Sequence, residues 1–197
     1  ASDVYKRQQL LVGNGASPRF TDEDLRLFQN GSDPYNHPNT KWTDYVYRTG
    51  FMHKHNLNVS GGSEDVKYMA SAGFIGQEGT LKNSDRQQFN MRTNLDVKLS
   101  KKFDMRANMA FIHNDYSDPN ASYGGGYTQF IWQSNRMAPW IPYKKEDGTY
   151  GSISDGNPAA WIDIDSRIYY KQQNFSGSLA FDYEILDGLK FTLQGAY

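Results

Sequence analysis

The sequence predicts an all-β fold in which about six antiparallel strands follow one another along the chain. The clearest evidence lies in residues 89–99, where every second position is apolar or β-branched and every position between is polar. Residues 66–74 and 103–111 repeat the apolar positions at the same spacing. This period of two indicates strands with one apolar face, because successive side chains point to opposite sides of a sheet.

The predicted strands begin near residue 51 and continue to the last residue. They are 51–60, 66–75, 88–99, 103–113, 168–185 and 189–197. The connections alternate between tight turns at 61–64, 100–102 and 186–188 and longer loops at 77–87 and 114–166. All tight turns therefore fall on one edge of the sheet, and all long loops fall on the other. That asymmetry is typical of outer-membrane β-barrels, which have short periplasmic turns and long extracellular loops.

Composition agrees with a transmembrane β-barrel fragment and excludes several other classes. Mean hydropathy is −0.77, and no run of 18 apolar residues exists, so the sequence predicts no transmembrane helix. A barrel fits the same numbers, because half of each strand faces a polar lumen. The net charge of −1 gives no argument for nucleic acid binding, and the absence of cysteine excludes disulfides and thiolate metal sites.

A soluble or surface carbohydrate-binding β-sandwich is the alternative, since a soluble sheet with one solvated face shows the same alternation. Three features favour the barrel. The long and short connections are sorted to opposite edges, the predicted strands are about ten residues or longer, and the final strand runs to Tyr197 without a turn. From this last feature we expect the chain to be an internal fragment of a longer protein.

The first 50 residues have a different character from the strands. Thr21 is expected to cap a helix that ends at Gly31, and Thr40 is expected to cap a second, shorter helix. Residues 9–17 are expected to be irregular. Residues 1–8 fit nothing that follows them, and we expect them to be a cloning or assembly remnant.

Short motifs follow one another in order along residues 38–79. They read PNTKW at 38–42, RTG at 48–50, HNLNVSGG at 55–62, YMASAGF at 68–74 and QEG at 77–79. The polar positions of residues 88–98 and the loop pattern of residues 139–150 continue the series. With these motifs the chain resembles the SusC/RagA family of TonB-linked outer-membrane proteins, and the resemblance covers about 18–197.

This resemblance implies a barrel of about 22 strands with a plugged lumen, of which the chain would hold the first strands. Residues 1–50 would form the plug-to-barrel junction, and residues 51–197 would form the first strands and loops. Such a protein lies in the outer membrane of a Gram-negative bacterium and imports glycans or peptides. It would work with the TonB complex and a SusD-like lipoprotein, and its outer face would contact membrane lipid.

Aromatic residues of the long loop are the candidate ligand contacts, because exposed rings offer flat surfaces on which sugars and apolar groups stack. They are Tyr123, Tyr127, Trp132, Trp140 and Trp161, joined by Tyr143 and Tyr150. The alternative is that these rings pack the loop on itself or against the partner lipoprotein. Aromatic residues at strand ends are instead expected to form an interfacial girdle: Phe51, Phe74, Tyr116, Tyr169 and Tyr170.

Other chemistry finds little support in the sequence. The histidines lack a third ligand at a telling spacing, and the carboxylates Asp155, Asp163 and Asp165 do not follow the order of an EF-hand loop. The glycines at 124–126 precede no Lys-Ser/Thr pair, as a phosphate-binding loop would require. No nucleophile and base form a recognisable motif. We therefore predict no cofactor, no metal site and no enzyme activity.

Overall fold

The computed structural model of the chain describes residues 3–121, 126–153 and 156–197. Within these residues, eleven helices and strands occur in this order: α1 Asp3–Gly13, α2 Asp22–Asn30, α3 Trp42–Val46, β1 Met52–Gly62, β2 Val66–Glu78, β3 Asp85–Ser100, β4 Phe103–Pro119, α4 Gly126–Arg136, α5 Pro158–Asp163, β5 Arg167–Leu186 and β6 Leu189–Ala196. None of the described helices is both long and apolar enough to cross a membrane.

The chain divides into two compact units. The sheet unit comprises Gly50–Gly79, Asp85–Ser117 and Tyr169–Tyr197, and it contains nearly all of the strand residues. The loop unit comprises Ala1–Thr49, Thr80–Ser84 and Asp118–Ile168, and it contains the helices.

The sheet unit is a six-stranded meander in the order β1-β2-β3-β4-β5-β6, with each strand hydrogen-bonded to the next. Tight connections at 63–65, 101–102 and 187–188 alternate with longer ones at 79–84 and 120–166. The predicted antiparallel all-β meander and its sorted connections are therefore confirmed. We refer below to the tight-turn edge and the long-loop edge of this sheet.

Strand register keeps the two side-chain faces separate across the sheet. On the apolar face, Ala72 of β2 lies opposite Leu57 of β1 and Met91 of β3, and Met91 lies opposite Phe111 of β4. On the other face, Asp96 of β3 lies between register partners on β2 and β4 that are basic. Apolar side chains remain uncovered in this chain, with Leu57 66% and Leu193 61% exposed. An apolar belt of this kind is what a lipid-facing wall requires.

Three strands extend further toward the long-loop edge than the alternation predicts. β2 continues to Glu78, β3 begins at Asp85 and β4 continues to Pro119, whereas the predicted limits are 75, 88 and 113. These ends are mostly polar on both faces, so they carry no periodic signal. The backbone ladder nevertheless continues through them, because pairing between N–H and C=O groups does not depend on the side-chain pattern.

One part of the predicted girdle is wrong. Tyr169 and Tyr170 are adjacent in β5, so their side chains point to opposite faces of the sheet. The ring of Tyr170 stacks on that of Tyr116 at 4.7 Å. Since Tyr116 is the register partner of Arg86 in β3, this tyrosine pair lies on the polar face and not on the apolar one.

The loop unit confirms the first predicted helix and corrects its surroundings. Thr21 and Asp24 form a capping box at the start of α2, and Gly31 ends the helix in the left-handed conformation with φ 66°. The predicted cap Thr40 does not cap α3; its hydroxyl instead donates to the carbonyl oxygen of Ile141 at 2.7 Å. The long loop contains two helices that the sequence analysis does not identify, α4 and α5.

Residues 3–13 form α1, so the expectation of an irregular chain over 9–17 is wrong for its first part. The segment has no glycine or proline before Gly13, so no residue in it interrupts a helix. Val4 is fully buried with Leu25 and Phe28. The expectation that residues 1–8 are a remnant concerns their origin and stays a prediction.

Mutations in β3 separate the two faces. Leu95→Arg places a charge on the face that we expect to contact lipid, and it should destabilise the complete barrel by about 2–4 kcal/mol when the residue lies near the membrane midplane. Asn94→Arg, at the next residue on the polar face, should have a far smaller effect. Denaturant unfolding of the complete protein in lipid vesicles measures both, and equal losses would contradict the face assignment.

A histidine clamp fixes the start of α2 to the turn that follows the helix. Nδ1 of His37 lies 2.8 Å from Asp33 Oδ2, and Nε2 lies 3.1 Å from Asp24 Oδ1. The hydrogen bonds to Asp33 and then to Asp24 raise the pKa of His37 above its ordinary value of 6.5. A raised pKa in the folded state means that the clamp contributes fully below pH 6.5 and is lost as the pH rises through the raised value.

Hydrogen exchange of the α2 amides tests this clamp. After correction for intrinsic exchange rates, protection of α2 should fall as the pH rises from 6.5. His37→Gln cannot gain charge and should remove that slope. A slope of the same size in the variant would show that the clamp does not stabilise the helix through protonation.

Candidate ligand-binding surface

Helix α4 carries two of the predicted ligand-contacting rings, and both are exposed. Tyr127 and Trp132 are each 50% exposed, and the guanidinium of Arg136 lies 4.3 Å from the centre of the Trp132 ring. Thr128, Trp132 and Arg136 follow one another at four-residue spacing, so they share one side of the helix. The result is an exposed aromatic surface edged by hydroxyl and cationic groups.

The opposite side of α4 explains why this face is outward. Phe130 and Met137 are fully buried, and they anchor the helix in two separate hydrophobic clusters of the loop unit. Gln133 is also buried, and its amide nitrogen donates to the carbonyl oxygen of Gly156 at 2.9 Å. Burial of this side leaves Trp132 on the opposite side of the helix, and Tyr127 lies at the margin of the buried side, where it remains exposed.

The other two described rings of the predicted set pack the loop on itself. Trp161 is only 5% exposed and meets Phe130 edge-on at 5.1 Å. Trp140 meets Phe20 at 5.5 Å, and the guanidinium of Arg19 covers its ring at 4.7 Å. These two residues therefore serve the packing alternative, and only Tyr127 and Trp132 are carried into the functional proposal.

The remaining candidate in that set, Tyr123, lies outside the described residues, as do Asp155, Gly124 and Gly125. Asp165, another of the carboxylates considered for calcium, pairs with Arg167 at 2.5 Å. Asp163, the third of those carboxylates, holds a tyrosine cluster.

The hydroxyls of Tyr143 and Tyr150 both donate to the carboxylate of Asp163, and the bond from Tyr150 measures 2.8 Å. The ammonium of Lys144 lies 3.7 Å from the same oxygen and about 5 Å from both ring centres. Burial alone pushes the pKa of Asp163 up, but the hydrogen bonds from the two tyrosines and the charge of Lys144 bring it below its ordinary value. This cluster ties α5 to the 143–150 segment of the loop.

The polar face of the sheet carries a charged groove of about 530 Å³ near its tight-turn edge. Arg106 pairs with Asp182 at 2.9 Å, and Lys190 lies 3.8 Å from both Asp182 and Asp104. The hydroxyl of Thr192 also donates to Asp182 at 2.6 Å. The side chain of Asp182 is 7% exposed, so its charge is shielded by its own neighbours. This groove is held together by internal ion pairs.

Comparison with known proteins relates the chain to one group of receptors. It is 33% identical over 162 residues to TonB-dependent receptor P3 of Formosa agariphila, covering 78% of this chain and 16% of the receptor. It is 30% identical over 166 residues to TonB-dependent receptor SusC of Bacteroides thetaiotaomicron, covering 74% of this chain and 16% of the receptor. No protein-family model matches the chain.

Among solved structures, the chain is similar to one described as the structure of the RagAB peptide transporter. The TM-score is 0.66 at 14% sequence identity, and the match covers 90% of this chain and 23% of that chain. At this identity the likeness concerns the fold. The chain thus spans about a sixth of the length of the curated receptors, at 15–16% of each.

Tryptophan replacements should separate the loop core from its surface. Trp161→Ala removes a buried ring and should destabilise the loop unit by about 3–5 kcal/mol. Trp132→Ala removes an exposed ring and should cost at most about 0.5 kcal/mol. Local hydrogen exchange in residues 126–168 of the complete protein gives both values. Similar losses for the two variants would mean that Trp132 is part of the core.

Proposed function

Because this chain is a segment of a TonB-dependent receptor of the SusC/RagA type, we propose that it forms the first part of the barrel wall of an outer-membrane importer of glycans or peptides. The observation that carries this proposal is a single in-register sheet with an uncovered apolar face and a polar opposite face. A wall between lipid and a wet passage needs both faces. A β-sandwich would need a second sheet over the apolar face, and the described residues supply none.

We assign the two ends of the chain different roles in this importer. Residues 1–50 form the junction between plug and barrel, and residues 51–197 form the first strands and loops. Energy from the TonB complex reaches the protein through parts beyond this chain. The long loop meets a SusD-like lipoprotein and the ligand at the cell surface.

Ligand contact at the loop is assigned to Tyr127 and Trp132. Their exposed rings can stack on sugar faces or on apolar side chains of peptides, and the adjacent guanidinium of Arg136 adds a hydrogen-bond donor. The relatives are receptors and not enzymes, and the proposal assigns no catalytic step to the chain.

Uptake by cells carrying the complete receptor tests the proposal. The receptor should fractionate with the outer membrane, and cells should take up labelled oligosaccharides or oligopeptides only while TonB is present. Uptake that is unaffected by deletion of TonB, or a receptor found in the soluble fraction, would overturn it.

The loop contacts have their own test. The double variant Tyr127→Ala and Trp132→Ala should weaken ligand binding about tenfold, since two stacking contacts of about 0.5–1.5 kcal/mol each are lost. Tyr35→Ala is the matched control, because Tyr35 is an exposed ring of the same unit outside α4, at 46% exposure. Equal binding by the double variant and the control would remove the loop aromatics from the ligand path.

A further inference from the structure

The polar face of the sheet divides into two bands of different chemistry. Toward the tight-turn edge, the row Lys67–Asp96–Arg106 crosses three strands with alternating charge. Toward the long-loop edge, amides, an arginine and tyrosines replace the ion pairs; these residues are Gln77, Arg86, Gln88, Asn114, Tyr116 and Tyr170. The first band satisfies itself with salt bridges, whereas the second offers hydrogen-bonding groups and ring surface.

At the centre of the second band is a tyrosine platform, which we define as Tyr116, Tyr170, Arg86, Gln88 and Asn114. The two rings come from neighbouring strands and are nearly parallel, with centres 4.7 Å apart and planes at 14°. Tyr170 remains 39% exposed. Two stacked rings held by neighbouring strands, one of them exposed, offer ring surface at little cost in conformational entropy.

Arg86 lies on the other side of Tyr116 from Tyr170, because it is the register partner of Tyr116 in β3. Its Nη2 donates to the amide oxygens of Gln88 at 2.5 Å and Asn114 at 3.1 Å, and its Nε lies 3.4 Å from the oxygen of Asn114. These partners are neutral, so they fix the guanidinium in place without cancelling its charge. In the part of the chain that the structure describes, Nη1 keeps its two N–H groups for a ligand.

The amide band continues inward from the platform through the next rows. Asn56 of β1 and Asn90 of β3 both pair with Gly73 of β2. A Cβ atom at Gly73 would lie 2.7 Å from the Asn90 oxygen and 3.0 Å from the Asn56 oxygen, so glycine lets these two amides meet above β2. Amide groups both donate and accept, as the hydroxyls of a saccharide do.

We propose that the tyrosine platform is a lumenal binding subsite for acidic glycans, with one sugar ring of an oligosaccharide stacked on Tyr170 and a carboxylate or sulfate group elsewhere on the same oligosaccharide paired with Arg86. The inference rests on the proposed importer function and narrows its substrate class. An arginine fixed by neutral amides favours an anionic partner, because a guanidinium matches carboxylate and sulfate oxygens through two parallel hydrogen bonds. A neutral sugar would gain nothing from that charge.

Calorimetry on the complete receptor in detergent tests the proposal with matched ligands. The probes are an oligogalacturonate and its neutral methyl ester, together with a sulfated galacto-oligosaccharide and its desulfated form. The wild-type receptor should bind at least one acidic probe, and more tightly than its neutral partner. Arg86→Gln should weaken binding of that acidic probe about tenfold and change binding of the neutral partner less than about twofold.

Two matched variants control for folding and position. Arg92→Gln makes the same substitution on the same strand and face, outside the platform, and should bind like the wild type. Tyr170→Phe keeps the stacked ring and should retain binding, whereas Tyr170→Ala should weaken binding of both members of a probe pair. Tyr169→Ala, on the opposite face of β5, should have no effect.

Three results would overturn the inference. The first is an Arg86→Gln variant that binds the acidic probe as tightly as the wild type does. The second is a wild-type receptor that binds the neutral partner as tightly as the acidic probe, and the third is a wild-type receptor that binds none of the probes. TonB-dependent uptake by cells that carry the same receptor distinguishes a failure of the subsite proposal from a failure of the importer proposal. A receptor that drives uptake but ignores the charge of the glycan would disprove the subsite alone.

Discussion

Register between neighbouring strands is the constraint on which the sheet depends. A slip of one residue would move every apolar side chain of a strand to the polar face. Turns of two or three residues fix the register of three strand pairs, but β4 and β5 are joined only through residues 120–166. Side chains bridge these two strands on both faces: Arg106 pairs with Asp182 at 2.9 Å, and Phe103 stacks on Phe181 at 5.7 Å. An ion pair and a ring stack thus replace the missing turn.

With register fixed, the chemistry of the polar face depends on the position along the strands. Near the tight-turn edge, the carboxylate of Asp182 forms ion pairs with Arg106 and Lys190 and accepts a hydrogen bond from Thr192. These partners all come from within the sheet. Near the long-loop edge, Arg86 is held by amides and keeps its charge. The loop unit makes a similar division, since it buries Trp161 in its core and leaves Trp132 on its surface.

The sequence could predict the strands and tight turns because one apolar face imposes a period of two. It could not predict the strand ends, where residues such as Gln77 and Arg86 are polar whichever way they point. Nor could the sequence show that Trp161 is buried whereas Trp132 is exposed. Burial of Trp161 depends on Val46, Leu81 and Ala121, which come from distant parts of the chain, whereas periodicity reports only on neighbours. Helix α4 could not be predicted for the same reason, because its buried side packs on those same distant residues.

The tyrosines at strand ends could have been assigned to the correct face of the sheet from their odd or even position in the strand. Aromatic rings at this height can face lipid, as in an interfacial girdle, or face the lumen, and residue type does not distinguish the two. Parity does: Met109 and Phe111 define the apolar face of β4, so the even-numbered Tyr116 must lie on the other one. Because Tyr116 stacks on Tyr170 and is the register partner of Arg86, the two rings and the arginine lie on the same polar face. In the importer that we propose, aromatic side chains would anchor the wall on one face and would offer a surface for ligand contact on the other.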